Sequence, residues 1–205
     1  MNTFCFKITG VLLVSCLLGG FTQAQGVLQT GTVKFTITTK AAKDTGIQTI
    51  YFKPGFGVVE MLNPTDSSGF QSIYAFEKDS VYHFLRGDEL MALPAMGIQE
   101  LMAQSKLKTS FKVTTGKKHR NILGYDCFDF KAETGSGKSK TVITGWATRQ
   151  IQHEIGVVMD QDLLAIGFPM EFFMMPNGGS KKKAVVFSAV QVTPTVDERI
   201  FIHPK

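Results

Sequence analysis

Apolar and polar side chains alternate along most of the chain. Val33, Phe35 and Ile37 are separated by lysine and threonine residues between Gly31 and Thr39. A period of two with many β-branched residues predicts a strand with one buried face. Short segments of similar character, separated by turn formers, follow at 48–53, 57–62, 70–77, 80–86, 89–93, 109–115, 121–123, 125–132, 140–148 and 184–192. This spacing predicts a mainly β protein, a curved antiparallel sheet or an incomplete β-barrel.

One segment has helical spacing instead. Ile98, Leu101 and Met102 follow the i, i+3, i+4 rule, and Pro94 is tolerated at a first helical position. The pattern predicts a helix over residues 94–107 that covers part of the sheet. Residues 150–165 are less regular, and their pattern fits either a short helix or a loop. We therefore expect one or two helices that cover the sheet.

The first 24 residues have the layout of a secretory signal peptide. Lys7 precedes an apolar run over residues 8–18, and Ala24 ends a run of small residues suited to cleavage. We therefore expect residues 25–205 to form a single exported domain, in the periplasm of a Gram-negative bacterium. In the alternative, the residues before Cys16 act as a lipobox, and a lipidated Cys16 anchors the protein to the envelope.

The composition and the charge distribution exclude some classes of partner. The chain is 43% hydrophobic and 19% charged, and it contains 17 Phe and 9 Met. The net charge is +5, and the basic residues are scattered rather than interleaved with aromatic ones. This distribution argues against nucleic acid as a partner. The basic runs at 117–120 and 181–183 are expected to be solvated turns, with peripheral contact to anionic lipid as the alternative.

One segment resembles a phosphate-binding loop. Residues 132–139 read Ala-Glu-Thr-Gly-Ser-Gly-Lys-Ser, but the next residues alternate as in a strand and do not form a helix pattern. A phosphate-binding loop needs the N-terminus of a helix after it. We therefore predict a hairpin turn between two strands, without a nucleotide or other cofactor.

The remaining reactive residues form no pattern typical of a catalytic or metal site. Cys127 is the only cysteine beyond the leader, and a small apolar strand residue is its expected role. The four histidines lack metal-ligand spacing, and Asp160 and Asp162 are expected to be solvated. We predict a protein that is not an enzyme and that holds no metal.

Residues 167–176 are unusually rich in Phe and Met. Methionine suits adaptable apolar surfaces, so this segment and the predicted helix are candidates for lining a groove that takes a lipid or an acylated protein, although burial in the core is the alternative. The candidate ligand-facing residues are Leu101, Met102, Met170, Phe172, Phe173 and Met174.

Four short motifs resemble those of an exported bacterial family, a domain of unknown function. The motifs are Ile122-Leu-Gly-Tyr-Asp-Cys127, Thr144-Gly-Trp-Ala-Thr148, Gly167-Phe-Pro-Met-Glu171 and the closing segment with Asp197, Phe201 and Pro204. The family is similar in fold to the lipoprotein carriers LolA and LolB. The resemblance implies an incomplete barrel closed by helices and, by fold analogy, binding of a lipid. The alternative is an envelope scaffold or protein-interaction module with a solid core.

Overall fold

A single antiparallel sheet of twelve strands dominates the computed structural model, which describes residues 26–39, 45–86, 90–93, 95–97, 111–135, 140–153, 166–175 and 184–202. The strands are β1 (Gly31–Thr39), β2 (Thr45–Lys53), β3 (Phe56–Leu62), β4 (Gly69–Ala75), β5 (Ser80–Arg86), β6 (Leu90–Ala92), β7 (Met96–Gly97), β8 (Lys112–Ile122), β9 (Tyr125–Thr134), β10 (Thr141–Thr148), β11 (Phe168–Met175) and β12 (Val185–Thr193). Two 3₁₀ turns accompany them, Phe76–Lys78 and Glu198–Phe201.

The sheet is open. Its order is β6-β5-β4-β3-β2-β1-β12-β11-β10-β9-β8, and β7 also pairs with β5. Most neighbours are joined by hairpins, but β1 lies beside β12, so the first and last strands meet in the middle of the sheet. The edge strands β6 and β8 do not pair with each other in the described residues. The prediction of a curved antiparallel sheet is confirmed.

The sheet divides partly between β11 and β12. Only residues Glu171 to Met174 of β11 pair with β12, whereas β10 pairs along most of β11. The first part of β11 therefore separates from β12. Beyond that end, Leu28 forms a parallel bridge with Ile151, through hydrogen bonds of 2.7 Å from Leu28 N to Gln150 O and 2.9 Å from Gln152 N to Leu28 O.

Aromatic contacts show which face is concave. Phe52 on β2 and Phe168 on β11 are three strand positions apart. That separation would be about 14 Å along a flat sheet, since neighbouring strands lie 4.7–4.9 Å apart. The two ring centroids are nevertheless only 6.4 Å apart, and Phe35 lies 6.0 Å from Phe168. The face that carries Phe35, Phe52 and Phe168 therefore bends inward, and we call it the inner face.

The core lies mainly within this bend. Its fully buried members come from distant strands, and Cys127 of β9 and Val81 of β5 belong to the same cluster. The cluster comprises Val33, Phe35, Phe52, Val59, Tyr74, Val81, Tyr125, Cys127, Ile151, Phe168 and Met170. Burial on this scale is the main source of stability in a protein with so little helix among its described residues.

A smaller cluster covers part of the outer face. The 3₁₀ turn near the C-terminus places Phe201 against Val58, Ile73 and Phe84. Lys53 pairs with Glu198, and its Nζ lies 4.7 Å from the centroid of the Phe201 ring. The end of the described chain therefore shields the apolar outer surface of β3 to β5.

Several predicted elements can be compared directly. β1 and β5 have the predicted bounds. β9 and β10 are antiparallel neighbours from Thr134 and Thr141 onwards, so the strand pair predicted on either side of the phosphate-loop-like segment is present, and residues 136–139 of that segment lie outside the described residues. The predicted strands 109–115 and 121–123 are one longer strand, β8. Its pairing with β9 shifts between Thr115 and His119, so the polar residues between them are accommodated as a bulge.

The prediction of a helix beginning at Pro94 is wrong for its first turn. Met96 and Gly97 form strand β7, which pairs with Ser80 and Val81. β6 reaches only as far as Phe84, and the open backbone groups at the start of β5 favour a strand partner. The rest of the predicted helix lies outside the described residues. So do the leader, Asp160, Asp162 and the basic run 181–183.

Gly145 offers a test of the β10–β11 pairing. A Cβ added there would lie 2.2 Å from the Glu171 carbonyl oxygen and 2.7 Å from the Phe172 Cα. We expect Gly145→Ala to lower the free energy of unfolding by about 1–3 kcal/mol, since overpacking of a close strand contact has that cost. Urea denaturation measures the effect. Gly26→Ala is the control, because a Cβ at Gly26 meets nothing within 4 Å; equal stability of the two variants would contradict the pairing.

Candidate functional site

The inner face contains an apolar cavity of about 280 Å³. Its walls come from the middle of the sheet, from β1, β2 and β3 on one side and β11 and β12 on the other. The lining residues are Phe35, Gln48, Ile50, Val59, Met61, His153, Phe168, Pro169, Phe172, Met174 and Phe187. The cavity therefore lies where the two parts of the curved sheet face each other.

Strand register places these side chains together. Phe35, Gln48 and Met61 are direct neighbours across β1, β2 and β3. Phe172 and Phe187 are paired across β11 and β12, and their rings are stacked at 4.4 Å with an interplanar angle of 6°. Because directly opposed residues share one face of a sheet, the alternating pattern of each strand delivers one row of side chains to the cavity.

His153 is a polar member of the wall. Its ring meets Phe168 edge-to-face, with centroids 4.9 Å apart, and lies 5.9 Å from Phe52. Burial lowers the pKa of His153 to about 4, so the ring is neutral at pH 7. The other polar lining side chain is Gln48, which is an uncharged amide. No lining residue in the described part of the chain is therefore ionised at neutral pH, which suits an apolar ligand and disfavours a free ionic group.

The predicted ligand-facing residues do not all lie in the cavity, because the strand geometry sends them to different parts of the protein. Phe172 and Met174 line the cavity. Met170 is fully buried in the main core and does not line it. Phe173 points to the outer face, where it lines a different, shallow groove. Leu101 and Met102 lie outside the described residues.

The Phe/Met-rich segment thus does not form a single apolar patch. β11 is a strand, so alternate residues leave on opposite sides, and Phe173 is separated from Phe172 and Met174. Met170 lies at the point where the pairing of β10 with β11 shifts, between Trp146 and Ala147. The opposite wall, which includes Ile50 and Met61, was missed, because those residues are far away in sequence and only the strand order brings them to the site. Phe187, which stacks on Phe172 from β12, was missed as well.

A serine–histidine pair also lies on the inner face. The Ser72 hydroxyl is 2.8 Å from His83 Nδ1, across the β4–β5 pair. Ser72 is only 3% exposed, so a substrate carbonyl does not reach its oxygen. Burial also lowers the pKa of His83. This geometry satisfies two half-buried polar groups within the sheet, which is the usual role of a cross-strand hydrogen bond.

The surroundings of Cys127 and Trp146 indicate structural roles for both residues. Cys127 is buried, and burial raises the pKa of its thiol to about 11, which keeps the sulfur protonated and unreactive. Trp146 packs against the main core, the Arg120 guanidinium carbon lies 4.6 Å from its ring, and Arg120 Nη2 is 2.7 Å from Glu171 Oε2. This arrangement joins β8, β10 and β11 beside the Phe173 groove.

Within the parts of the chain that the structure describes, no three His, Cys, Asp or Glu side chains converge as a metal site. Among the same residues, no helix has both the length and the apolar character needed to cross a bilayer.

Comparison with known proteins supports the fold. No protein-family model matches the chain, and no curated protein sequence is similar to it. The solved structure of PNGF-II is similar, with a TM-score of 0.50 and 15% identity over 84% of this chain. This chain spans only 29% of the PNGF-II chain, so the similarity concerns the sheet architecture alone.

Two further solved structures match over most of this chain. An uncharacterized conserved protein from Thermus thermophilus matches 87% of this chain and 88% of its own, with 14% identity and a TM-score of 0.47. MucB matches 89% of this chain and 60% of its own, with 8% identity and a TM-score of 0.47. At these identities, the comparisons do not indicate a shared ligand or activity.

His153 predicts a pH dependence of stability. The folded protein keeps His153 neutral down to about pH 4, whereas the unfolded chain takes up the proton near pH 6.5. Between these values the unfolded state binds more protons, so stability falls as the pH drops. We expect a loss of about 3 kcal/mol between pH 7 and pH 4 from this group.

Urea denaturation across this pH range measures the effect. His153→Gln is the comparison, because it removes the titrating ring and keeps every carboxylate. The variant should show a shallower fall than the wild-type chain. Identical pH slopes in the two proteins would show that His153 is not held neutral by burial.

Proposed function

We propose that this protein is an exported, non-catalytic binding protein that holds an acyl chain, of a lipid or an acylated protein, in the cavity of the inner face. The observation that carries the proposal is the cavity wall, in which nine of the eleven residues are apolar and the other two are Gln48 and His153. The leader-like first 24 residues support export.

The size of the cavity favours a slender ligand. Its volume of about 280 Å³ is at the lower limit of small-molecule pockets, which run from roughly 300 to 1,000 Å³. Burying roughly six methylene groups contributes about 5 kcal/mol, before the entropy of holding the chain is subtracted. Binding in the micromolar range or weaker at this site alone is compatible with a carrier that must also release its ligand.

The side chains of the site support binding rather than catalysis. Among the residues that the structure describes, the cavity wall contains no serine, cysteine, lysine or carboxylate. The Ser72 hydroxyl is buried in a cross-strand hydrogen bond, and the Cys127 thiol is buried in the core. A covalent mechanism needs a nucleophile that the substrate can reach.

Native mass spectrometry of protein purified from a bacterial envelope tests whether a ligand is present. We expect adducts with the masses of acyl lipids, which disappear after extraction with organic solvent and return when lipid is added. Protein without any adduct, in which added lipid also fails to bind, would contradict the proposal and favour the envelope scaffold with a solid core.

A matched pair of variants tests the location of the site. Met174 and Phe173 are adjacent on β11 and partly buried, but only Met174 lines the cavity. We expect Met174→Trp to fill the space and weaken binding of the apolar probe N-phenyl-1-naphthylamine by about tenfold or more, which corresponds to about 1.4 kcal/mol.

Phe173→Trp adds bulk on the outer face and should leave the probe affinity unchanged. Circular dichroism and urea denaturation establish that both variants fold. If both variants lost probe affinity equally, or if Met174→Trp lost none, the probe would bind elsewhere on the protein.

A further inference from the structure

Four exposed or partly exposed apolar side chains form a row across the inner face. Met61, Phe70 and Leu85 are directly opposed across β3, β4 and β5, and Met91 continues the row on β6. Phe70, Leu85 and Met91 are 39%, 45% and 61% exposed. Large apolar side chains are normally exposed singly, so four in register are unusual for a surface with no partner. We call these four residues the apolar row.

The row is continuous with the cavity. Met61 belongs to both, and its register neighbour Gln48 lies beside Phe35 in the cavity wall. From Met61 the row crosses three strand spacings, about 14 Å, and ends at the edge strand β6. An apolar surface therefore leads without interruption from the interior of the bend to the edge of the sheet.

The row is narrow. On one side, the next residues on the same face of β4 and β5 are Ser72 and His83, about 6.6 Å along each strand. On the other side lies the turn between β3 and β4, where Asn63, Asp66 and Ser68 form polar hydrogen bonds. Apolar side chains flank the row at Val59 on β3, which is buried, and at Leu93 beyond β6, which is 40% exposed. A strip with polar borders on β4 and β5 matches a linear chain better than a protein partner, which usually covers roughly 800 Å² on each side.

We propose that the apolar row is the outer half of the ligand site, along which the part of a long acyl chain that does not fit in the cavity lies. This inference rests on the proposed function. It assigns the ligand to the class of long, unbranched acyl chains. It also identifies the β6 edge as the end from which the chain projects.

The two halves of the site make different contributions. A short chain fits in the cavity and, of the row, touches only Met61, whereas a long chain also covers Phe70, Leu85 and Met91. Each methylene group removed from water strengthens binding by about fourfold. Affinity should therefore continue to rise with chain length after the cavity is filled.

A chain-length series tests the inference. Binding of octanoate, dodecanoate and hexadecanoate is measured by displacement of N-phenyl-1-naphthylamine from the full mature chain. For the wild-type protein we expect affinity to increase through the series. In the double variant Leu85→Ser/Met91→Ser, hexadecanoate should bind about tenfold more weakly than it does to wild type, while octanoate affinity is unchanged.

Leu123→Ser is the control, because Leu123 is 45% exposed, as Leu85 is, but lies in the β8–β9 turn. It should keep the wild-type series. Unchanged hexadecanoate affinity in the double variant overturns the inference but leaves the cavity proposal intact. Equal weakening of octanoate and hexadecanoate also overturns it, because the row would then support the cavity rather than the chain.

Two further results would point to other interpretations. One would show that the protein has no fatty-acid site, and the other that the row docks onto a membrane. If no fatty acid displaces the probe from the wild-type protein, the proposed function itself fails. If the double variant keeps its chain-length series but loses binding to phosphatidylglycerol vesicles, the row is a membrane-docking surface and not part of the ligand site.

Discussion

The short pairing between β11 and β12 is the constraint on which the rest of the structure depends. Only four residues of β11 form a ladder with β12, so the two parts of the sheet separate at one end. Phe168 packs into that separation against Phe35 and Phe52, and the Leu28–Ile151 bridge joins the two parts of the chain beyond it. The inward bend follows, because aromatic rings from both parts meet over the inner face.

The cavity is a consequence of this bend. A flat sheet would expose its apolar face, and a fully collapsed one would leave no space between the walls. Here Phe172 and Phe187 stack on one side, while Ile50 and Met61 remain partly exposed on the other. The wall therefore combines a stacked aromatic side with Ile50 and Met61, of which the unbranched methionine is the more adaptable.

The two faces of the sheet are stabilised differently. The inner face is held mainly by apolar burial, with the Ser72–His83 pair as a polar border. On the outer face, the C-terminal turn covers β3 to β5. At the other end of the sheet, the contacts of Arg120 with Trp146 and Glu171 join β8, β10 and β11. The C-terminal turn thus covers part of the outer face, and the inner face contains the apolar cavity.

Local pattern determined much of this structure. The period of two in β1 gave its bounds and its buried face, the bounds of β5 were also predicted, and the alternation after Ser139 predicted the strand that pairs with β9. These predictions succeed because side-chain direction in a strand depends only on neighbouring residues. The pattern was less informative at β7, where pairing with an open edge prevailed over the helical spacing that begins at Pro94.

Only the tertiary structure decided which strands are neighbours and which apolar residues share a site. Backbone hydrogen bonds are the same for every strand, so the sequence does not state that β1 lies beside β12, whose paired residues are 146 to 161 positions away. For that reason the Phe/Met-rich segment was recognised, but its division into Met170, Phe173 and the cavity-lining Phe172 and Met174 was not. The sequence by itself determined the strands and their apolar faces, while the packing of distant strands created the cavity.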